Sequence, residues 1–158
     1  MIRRATYSCL TACALLQGGA VFAAAPLQID SDVFVERRVA QPNGAVKVVL
    51  EAPKMVTPGD NLVFVIHYRN VGSQTARDFT VTNPLPTAVV FNGTTDGLEA
   101  VSVDGGRSWG ALAELKITGR DGTSRPARMS DVTDVRWNVN QPLTAGAEGK
   151  LIFRGVVR

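Results

Sequence analysis

Residues 57–86, TPGDNLVFVIHYRNVGSQTARDFTVTNPLP, predict two β-strands separated by turns. Thr57–Asp60 is expected to form the first turn, because proline presets φ at its second position and glycine accepts the positive φ that follows. Leu62–Tyr68 reads as a strand, in which every second side chain lies on the same face. This period places four side chains on that face, namely Leu62, Phe64, Ile66 and Tyr68.

A second turn and a second strand complete the stretch. Asn70–Ser73 carries the small and polar residues of a chain reversal. Phe79 and Val81 then resume the inward alternation. Pro84 and Pro86 end the strand, because proline has no backbone N–H to donate to a sheet.

The remainder of the chain repeats this pattern of short strands and turns. The alternation predicts further strands at Val46–Leu50, Ala88–Asn92, Leu98–Val103, Leu112–Ile117, Val132–Asn140 and Leu151–Val157. Gly119–Asp131 reads as a polar loop, and residues 24–158 show no helical period. We therefore predict an all-β fold, a single antiparallel, immunoglobulin-like β-sandwich of about seven strands over residues 46–158. Its expected core contains Trp137, Phe64, Ile66, Val81 and Phe153.

Residues 1–23 are expected to be a signal peptide. A basic start precedes the apolar Leu10–Phe22, and Val21–Ala23 ends with the small residue that a signal peptidase reads. Cleavage after Ala24, an uncleaved anchor and lipidation at Cys13 are the alternatives. Both cysteines, Cys9 and Cys13, lie in this leader, so cleavage would leave an exported chain without disulfides or thiol chemistry.

Residues 24–45 are expected to be an extended lead-in that adds an edge strand or serves as a flexible tether. The charge of the exported part is close to balanced. Seventeen Lys and Arg residues stand against fourteen Asp and Glu, and loss of Arg3 and Arg4 with the leader lowers the formal net charge from +3 to +1. Binding of nucleic acid needs a concentrated basic face, so we expect no nucleic-acid partner. No transmembrane span is expected in the mature chain.

Five short motifs together resemble a known bacterial family. They are Pro58–Asp60, Tyr68–Gly72, Val81–Pro86, Ser102–Gly106 and Val135–Trp137. In this order they resemble domain-of-unknown-function family eleven, the conserved repeat domain of cell-envelope proteins, over roughly residues 46–158. The resemblance implies an immunoglobulin-like sandwich with no established chemistry. It also implies a periplasmic or cell-envelope location, although that family often occurs as tandem copies and this chain holds one.

Ser102–Trp109 also fits the aspartate-box pattern S-x-D-x-G-x-x-W. The pattern predicts a self-supporting hairpin, in which Asp104 accepts hydrogen bonds from turn amides and Trp109 packs over the turn. Sialidase-type propellers contain several such boxes, whereas a chain of this length is too short for a propeller. The box and Trp109 support an alternative function, a small glycan-binding or carbohydrate-active exported protein.

Three arginines, Arg120, Arg125 and Arg128, give the 119–131 loop a positive character. Loops at the end of a sandwich commonly carry binding surfaces, so this loop is the predicted interaction site. It would suit an anionic glycan, a lipid phosphate or a protein carboxylate; the alternative is an ordinary solvated loop.

The remaining polar residues predict no catalytic centre. His67, the only histidine, is expected to be an ordinary strand residue that faces outward or toward the second layer. No cofactor and no zinc site are expected, and a calcium site from Asp121, Asp131 and Asp134 would need carbonyl ligands as well. We therefore expect an exported, non-catalytic module that contacts a protein or another envelope component.

Overall fold

The computed structural model describes residues 26–158, which form an all-β domain. Within this range the only helical segments are two single 3₁₀ turns, Leu112–Glu114 and Met129–Asp131. The strands are β1 Leu27–Ala40, β2 Val46–Glu51, β3 Asn61–Asn70, β4 Phe79–Pro84, β5 Val89–Thr94, β6 Ala100–Ser102, β7 Lys116–Thr118, β8 Ser124–Pro126, β9 Asp134–Val139 and β10 Glu148–Val157.

The strands form two facing sheets and a separate hairpin. The larger sheet has the order β2-β1-β3-β10-β5, and the smaller one has the order β4-β9-β6. Strands β7 and β8 pair only with each other. Every pairing is antiparallel. The predicted antiparallel β-sandwich is therefore confirmed, although it has ten strands where about seven were expected.

Aromatic side chains from both sheets meet in the core. Phe64 of β3 stacks on Phe153 of β10, with ring centroids 4.3 Å apart and an interplanar angle of 3°. Trp137 of the smaller sheet lies 6.2 Å from the Phe153 ring across the interface. Trp137 is 2 % exposed, and Ile66 and Val81 are buried beside these rings, so the predicted core is confirmed.

Asn70 joins the end of β3 to two neighbouring segments. It is 0 % exposed, and its side-chain amide donates to the Gln74 and Leu143 carbonyl oxygens at 2.7 and 2.9 Å. Its Oδ1 accepts from the Gly72 N–H at 3.0 Å. A Cβ at Gly72 would lie 2.6 Å from the Pro26 ring, so only glycine fits there without movement. The Asn70-Val71-Gly72 motif is therefore explained by structural contacts, two of which are with residues distant in sequence, Leu143 and Pro26.

The two strands in the stretch 57–86 do not pair with each other. β3 lies in the middle of the larger sheet, whereas β4 is an edge of the smaller sheet. The connection between Asn70 and Phe79 therefore leads the chain from the larger sheet to the smaller one. Tyr68 and Phe79, one from each strand, meet edge to face at a centroid distance of 5.5 Å.

The expected lead-in contains an integral strand of the sandwich. β1 lies between β2 and β3, and its Val35 is 2 % exposed in the core. β1 pairs with β3 over Leu27–Val35 and with β2 over Val35–Ala40, so the 26–43 segment is not the flexible tether that the sequence suggested. Over Leu27–Phe34 its other side has no partner strand among the described residues, which agrees with the expected edge strand. The sandwich begins with β1 rather than at Val46. The expected signal peptide, residues 1–23, lies outside the described residues.

The segment 112–131 also differs from expectation. The strand expected at Leu112–Ile117 is a 3₁₀ turn followed by the short strand β7, and the expected polar loop contains β8 and a second 3₁₀ turn. Leu112 and Leu115 both pack against the core. Two apolar residues three positions apart suit a 3₁₀ turn, in which residues i and i+3 lie on one side.

We expect Trp137→Ala to lower the free energy of unfolding by about 3–5 kcal/mol, because it leaves a large cavity beside Phe153. Urea denaturation followed by circular dichroism would measure the loss. Leu98→Ala is the matched control: Leu98 is 78 % exposed, so its truncation should change stability by less than about 0.5 kcal/mol. Equal effects of the two substitutions would contradict the core position of Trp137.

Candidate functional site

The predicted arginine loop is an ordered hairpin. Its turn is closed by the Gly119 N–H, which donates to the Thr123 carbonyl oxygen at 2.8 Å, and the Asp121 carboxylate accepts from the Thr123 hydroxyl at 2.7 Å. Arg120 lies in this turn and Arg125 lies on β8. Arg120 and Arg125 therefore lie on a small two-stranded ribbon, whereas Arg128 lies after β8 at the start of the second 3₁₀ turn.

Arg125 is neutralised within the hairpin. Its Nη1 and Nη2 donate to the two Asp131 carboxylate oxygens at 2.7 and 2.8 Å, and the Arg128 backbone N–H donates to the same carboxylate at 2.8 Å. These hydrogen bonds, the one from Arg125 first, lower the pKa of Asp131 to about 2. Arg120 and Arg128 are exposed. The three predicted arginines therefore do not act as one cationic cluster.

The aspartate box forms the hairpin that the sequence predicted. The Asp104 carboxylate accepts from the backbone N–H groups of Arg107 and Ser108 at 3.0 Å and from the Ser108 hydroxyl at 2.6 Å. The Ser108 hydroxyl is the largest cause of the strongly lowered pKa of Asp104. Gly106, at φ +81°, has the positive φ that the pattern requires. Asp104 is thus occupied by its own turn.

Trp109 also has contacts of its own. Its indole N–H donates to the Gly106 carbonyl oxygen at 2.9 Å. The Arg136 guanidinium carbon lies 3.7 Å from the ring centroid, a cation–π contact that covers one face of the indole. A sugar that stacked on Trp109 would have to use the other face. These contacts favour a structural role for the box.

A polar groove of about 520 Å³ opens beside His67 on the outer face of the larger sheet. Cross-strand pairing places Asp30, His67 and Lys150 in one row across β1, β3 and β10. The His67 Nε2 atom lies 3.5 Å from the Asp32 carboxylate, and its side chain is 52 % exposed. The expectation of an outward-facing strand histidine is confirmed.

The groove holds mixed charges, and its lining contains no Ser, Thr or Cys beside His67. The next row of its lining consists of Gln28, Arg69 and Glu148. Ser31, a neighbour on β1, points to the opposite face because side chains alternate along a strand. Within residues 26–158, no three His, Cys, Asp or Glu side chains are grouped so that they could hold a metal ion.

Exposed apolar side chains are concentrated in and just after the hairpin of β1 and β2. Of the ten exposed large apolar side chains in the described range, six fall within residues 39–56. Val46, Val48 and Leu50 are 63, 51 and 49 % exposed and point to the same face of β2; we call them the apolar row. This surface was missed in the sequence analysis.

The hairpin extends beyond the neighbouring strand. β3 pairs with β1 only from Leu27 to Val35, whereas β2 pairs with β1 from Val35 to Ala40. Beyond Val35 the hairpin is therefore a two-stranded arm. Arg37 anchors its base, because its Nη1 donates to the Asp60 carboxylate at 2.6 Å and is the main cause of that group's lowered pKa.

No family model, curated protein or solved structure matches this chain. The resemblance to the conserved repeat domain therefore stays a prediction from the residues that carry it. In the part of the chain that the structure describes, no helix has the length and apolar character needed to cross a membrane.

The Arg125–Asp131 contact predicts a specific titration. In NMR spectra, the Asp131 carboxyl should titrate near pH 2, and its pKa should move toward the ordinary 3.8 in Arg125→Gln. Because the folded pKa is below the unfolded one, the contact stabilises the hairpin above about pH 4 and loses this effect as the pH falls toward 2. Arg120→Gln should leave the Asp131 midpoint unchanged. An ordinary midpoint in the native protein would contradict the contact.

Proposed function

We propose that this protein is an exported, non-catalytic β-sandwich module that acts in the cell envelope through protein contacts made by the β1–β2 arm. The apolar row carries the proposal, because Val46, Val48 and Leu50 are about half or more exposed on adjacent positions of one strand face. Exposed apolar residues are ordinary when scattered, whereas a grouped set commonly marks an interaction surface.

The position of the row at a sheet edge supports the same function. β2 lies at one edge of the larger sheet. It pairs with β1 on one side and with no strand of the described residues on the other. Natural proteins usually protect such edges with proline, bulges or charges that point inward. β2 carries two charges on the Val35 face, Lys47 and Glu51, so a strand that pairs with it must present the opposite charges. β2 pairs with β1 without any irregularity, and no proline interrupts Val46–Glu51. An edge of this kind can accept an additional strand.

The polar candidates give less support to the alternative, a glycan-binding or carbohydrate-active protein. Asp104 and the Trp109 indole N–H are used within the aspartate-box turn. Arg125 is held by Asp131. These groups therefore already have protein partners, whereas the side chains of the apolar row are exposed.

Export of the module rests on the leader pattern of residues 1–23. We expect the protein recovered from the envelope fraction of its own cells to begin at Ala24, and intact-mass analysis would identify this start. A protein that begins at Pro26 or beyond, or one that retains Met1 in the cytoplasm, would contradict export by this leader. A lipid-modified mass starting at Cys13 would indicate the lipoprotein alternative.

The contact function can be tested by cross-linking in intact cells. Native protein should form cross-linked envelope complexes that Val48→Lys reduces at least about tenfold, because a charged side chain would lie in the apolar contact. Leu98→Lys is the matched control, since Leu98 is 78 % exposed near β5, at the opposite edge of the sheet. Complexes that survive in Val48→Lys, or vanish equally in both variants, would contradict the proposed surface.

A further inference from the structure

The free edge of β2 has a defined pattern of unpaired backbone groups. At the end of the arm the Gln41 N–H donates to the Ala45 carbonyl oxygen at 2.7 Å. In an antiparallel ladder, hydrogen-bonded and non-bonded pairs alternate from that point. Following the register, Lys47, Val49 and Glu51 turn their N–H and C=O groups toward β1. The backbone N–H and C=O groups of the apolar row, Val46, Val48 and Leu50, therefore point toward the free edge of β2.

The charges on β2 are arranged so that the strand complements itself. Lys47 and Glu51 are its only ionisable residues, and they lie at equal distances on either side of Val49. A strand that runs antiparallel to a copy of itself brings residues on opposite sides of a two-fold axis together. An axis at Val49 therefore places each Lys47 opposite a Glu51.

We infer that β2 pairs antiparallel with β2 of a second copy of this chain, with the two-fold axis at Val49. The inference rests on the proposed contact function, since it uses the same surface, and it names the partner. The two larger sheets would then continue into one sheet of ten strands. Val48 of each copy would lie opposite Leu50 of the other, on the face of the apolar row.

The other registers are disfavoured by hydrogen bonding or by charge. A two-fold axis that passed between two residues would pair each residue whose N–H and C=O face the free edge with a residue whose N–H and C=O already bond to β1. The axis must therefore pass through a residue. An axis at Lys47 would oppose two lysines, and an axis at Glu51 would oppose two glutamates. An axis at Val48 or Leu50 would set Lys47 or Glu51 against Val49 of the other copy. Only the axis at Val49 forms two Lys–Glu pairs together with two Val–Leu pairs, and such cross-strand pairs stabilise sheets.

The shape of the arm is compatible with this pairing. Beyond Val35, β1 and β2 extend past β3, so the second copy would meet a two-stranded ribbon at that point rather than the full thickness of the sandwich. The ladder could run from Val46 to Ala52 and would stop at Pro53, which has no N–H to donate. The interface is small, so a dimer that forms at high protein concentration is expected.

Charge reversal tests the register directly. The exported protein, purified from cells, should show a monomer–dimer equilibrium in sedimentation velocity over a concentration series. Lys47→Glu and Glu51→Lys should each raise the dimer Kd by about tenfold or more, because each places like charges opposite each other twice. An equimolar mixture of the two variants should recover the native Kd as a heterodimer. This recovery would not follow from misfolding, and together with the loss in each single variant it would show that the charges of β2 meet across the interface.

A cysteine placed on the axis provides an independent measurement. In a Cys9→Ser/Cys13→Ser background, Val49→Cys should form a disulfide-linked dimer on mild oxidation, because opposite non-bonded residues have Cα atoms about 4.5 Å apart. Leu98→Cys should not do so at the same concentration. This second assay stays informative if a charge variant fails to fold.

Each contrary result has a defined meaning. A native protein that stays monomeric at all concentrations, or a dimer that persists in both charge variants, would overturn the inference. Loss of the dimer in both variants without recovery in the mixture would overturn the Val49 register. If the protein is monomeric while envelope cross-links still depend on Val48, the second-copy partner is wrong and the proposed contact function stands.

Discussion

Burial of β3 on both of its faces is the constraint on which the rest of the structure depends. Five consecutive residues, Leu62–Ile66, are buried. On the inner face Phe64 stacks against Phe153, and this pair contacts the smaller sheet through Trp137. On the outer face Val63 lies between its cross-strand partners Phe34 and Arg154. A strand with so little exposure needs a neighbour on each side, which is why β1 and β10 both pair with it.

The position of β1 then determines which residues of the arm are exposed. Val35 must face the core beside Leu62, and its partner on the far side is Glu51. Residues directly opposite in an antiparallel pair share a face, so Val49 and Lys47 lie on the same face of the sheet as Val35. The apolar row is consequently directed outward. A slip of β1 by one residue against β3 would turn Val35 away from the core and the row to the other face of the sheet, and the hydrogen bond between Arg37 and Asp60 opposes such a slip.

Most of the residues that looked chemically active are used in local structure. Asp104 holds its own turn, Asp131 holds Arg125, and Asn70 joins β3 to the segments around Gln74 and Leu143. Turns at the ends of a sandwich leave many backbone N–H groups without a ladder partner, and short polar side chains satisfy them. The same residue types serve in catalysis elsewhere, so their identity alone cannot separate the two roles.

The sequence alone determined the elements whose causes are local. The strand at Leu62–Tyr68, the turn at Thr57–Asp60 and the aspartate-box hairpin each follow from steric preferences and hydrogen bonds within a few residues, and all three are present in the structure. The inward position of Trp137 could be predicted as well, since its strand alternates strictly. Such features need no knowledge of distant partners.

Tertiary structure decided the strand neighbours, the position of the lead-in and the identity of the candidate surface. Val46, Val48 and Leu50 alternate like core residues, and only the pairing of β2 with β1 turns them outward. The pairing of Arg125 within the predicted arginine loop was likewise not evident from the sequence, because Arg125 meets Asp131 only when β8 and the following turn fold together. Alternation tells which residues share a face, but it does not tell which face meets the core. That choice depends on long-range pairing, whose register no single segment contains.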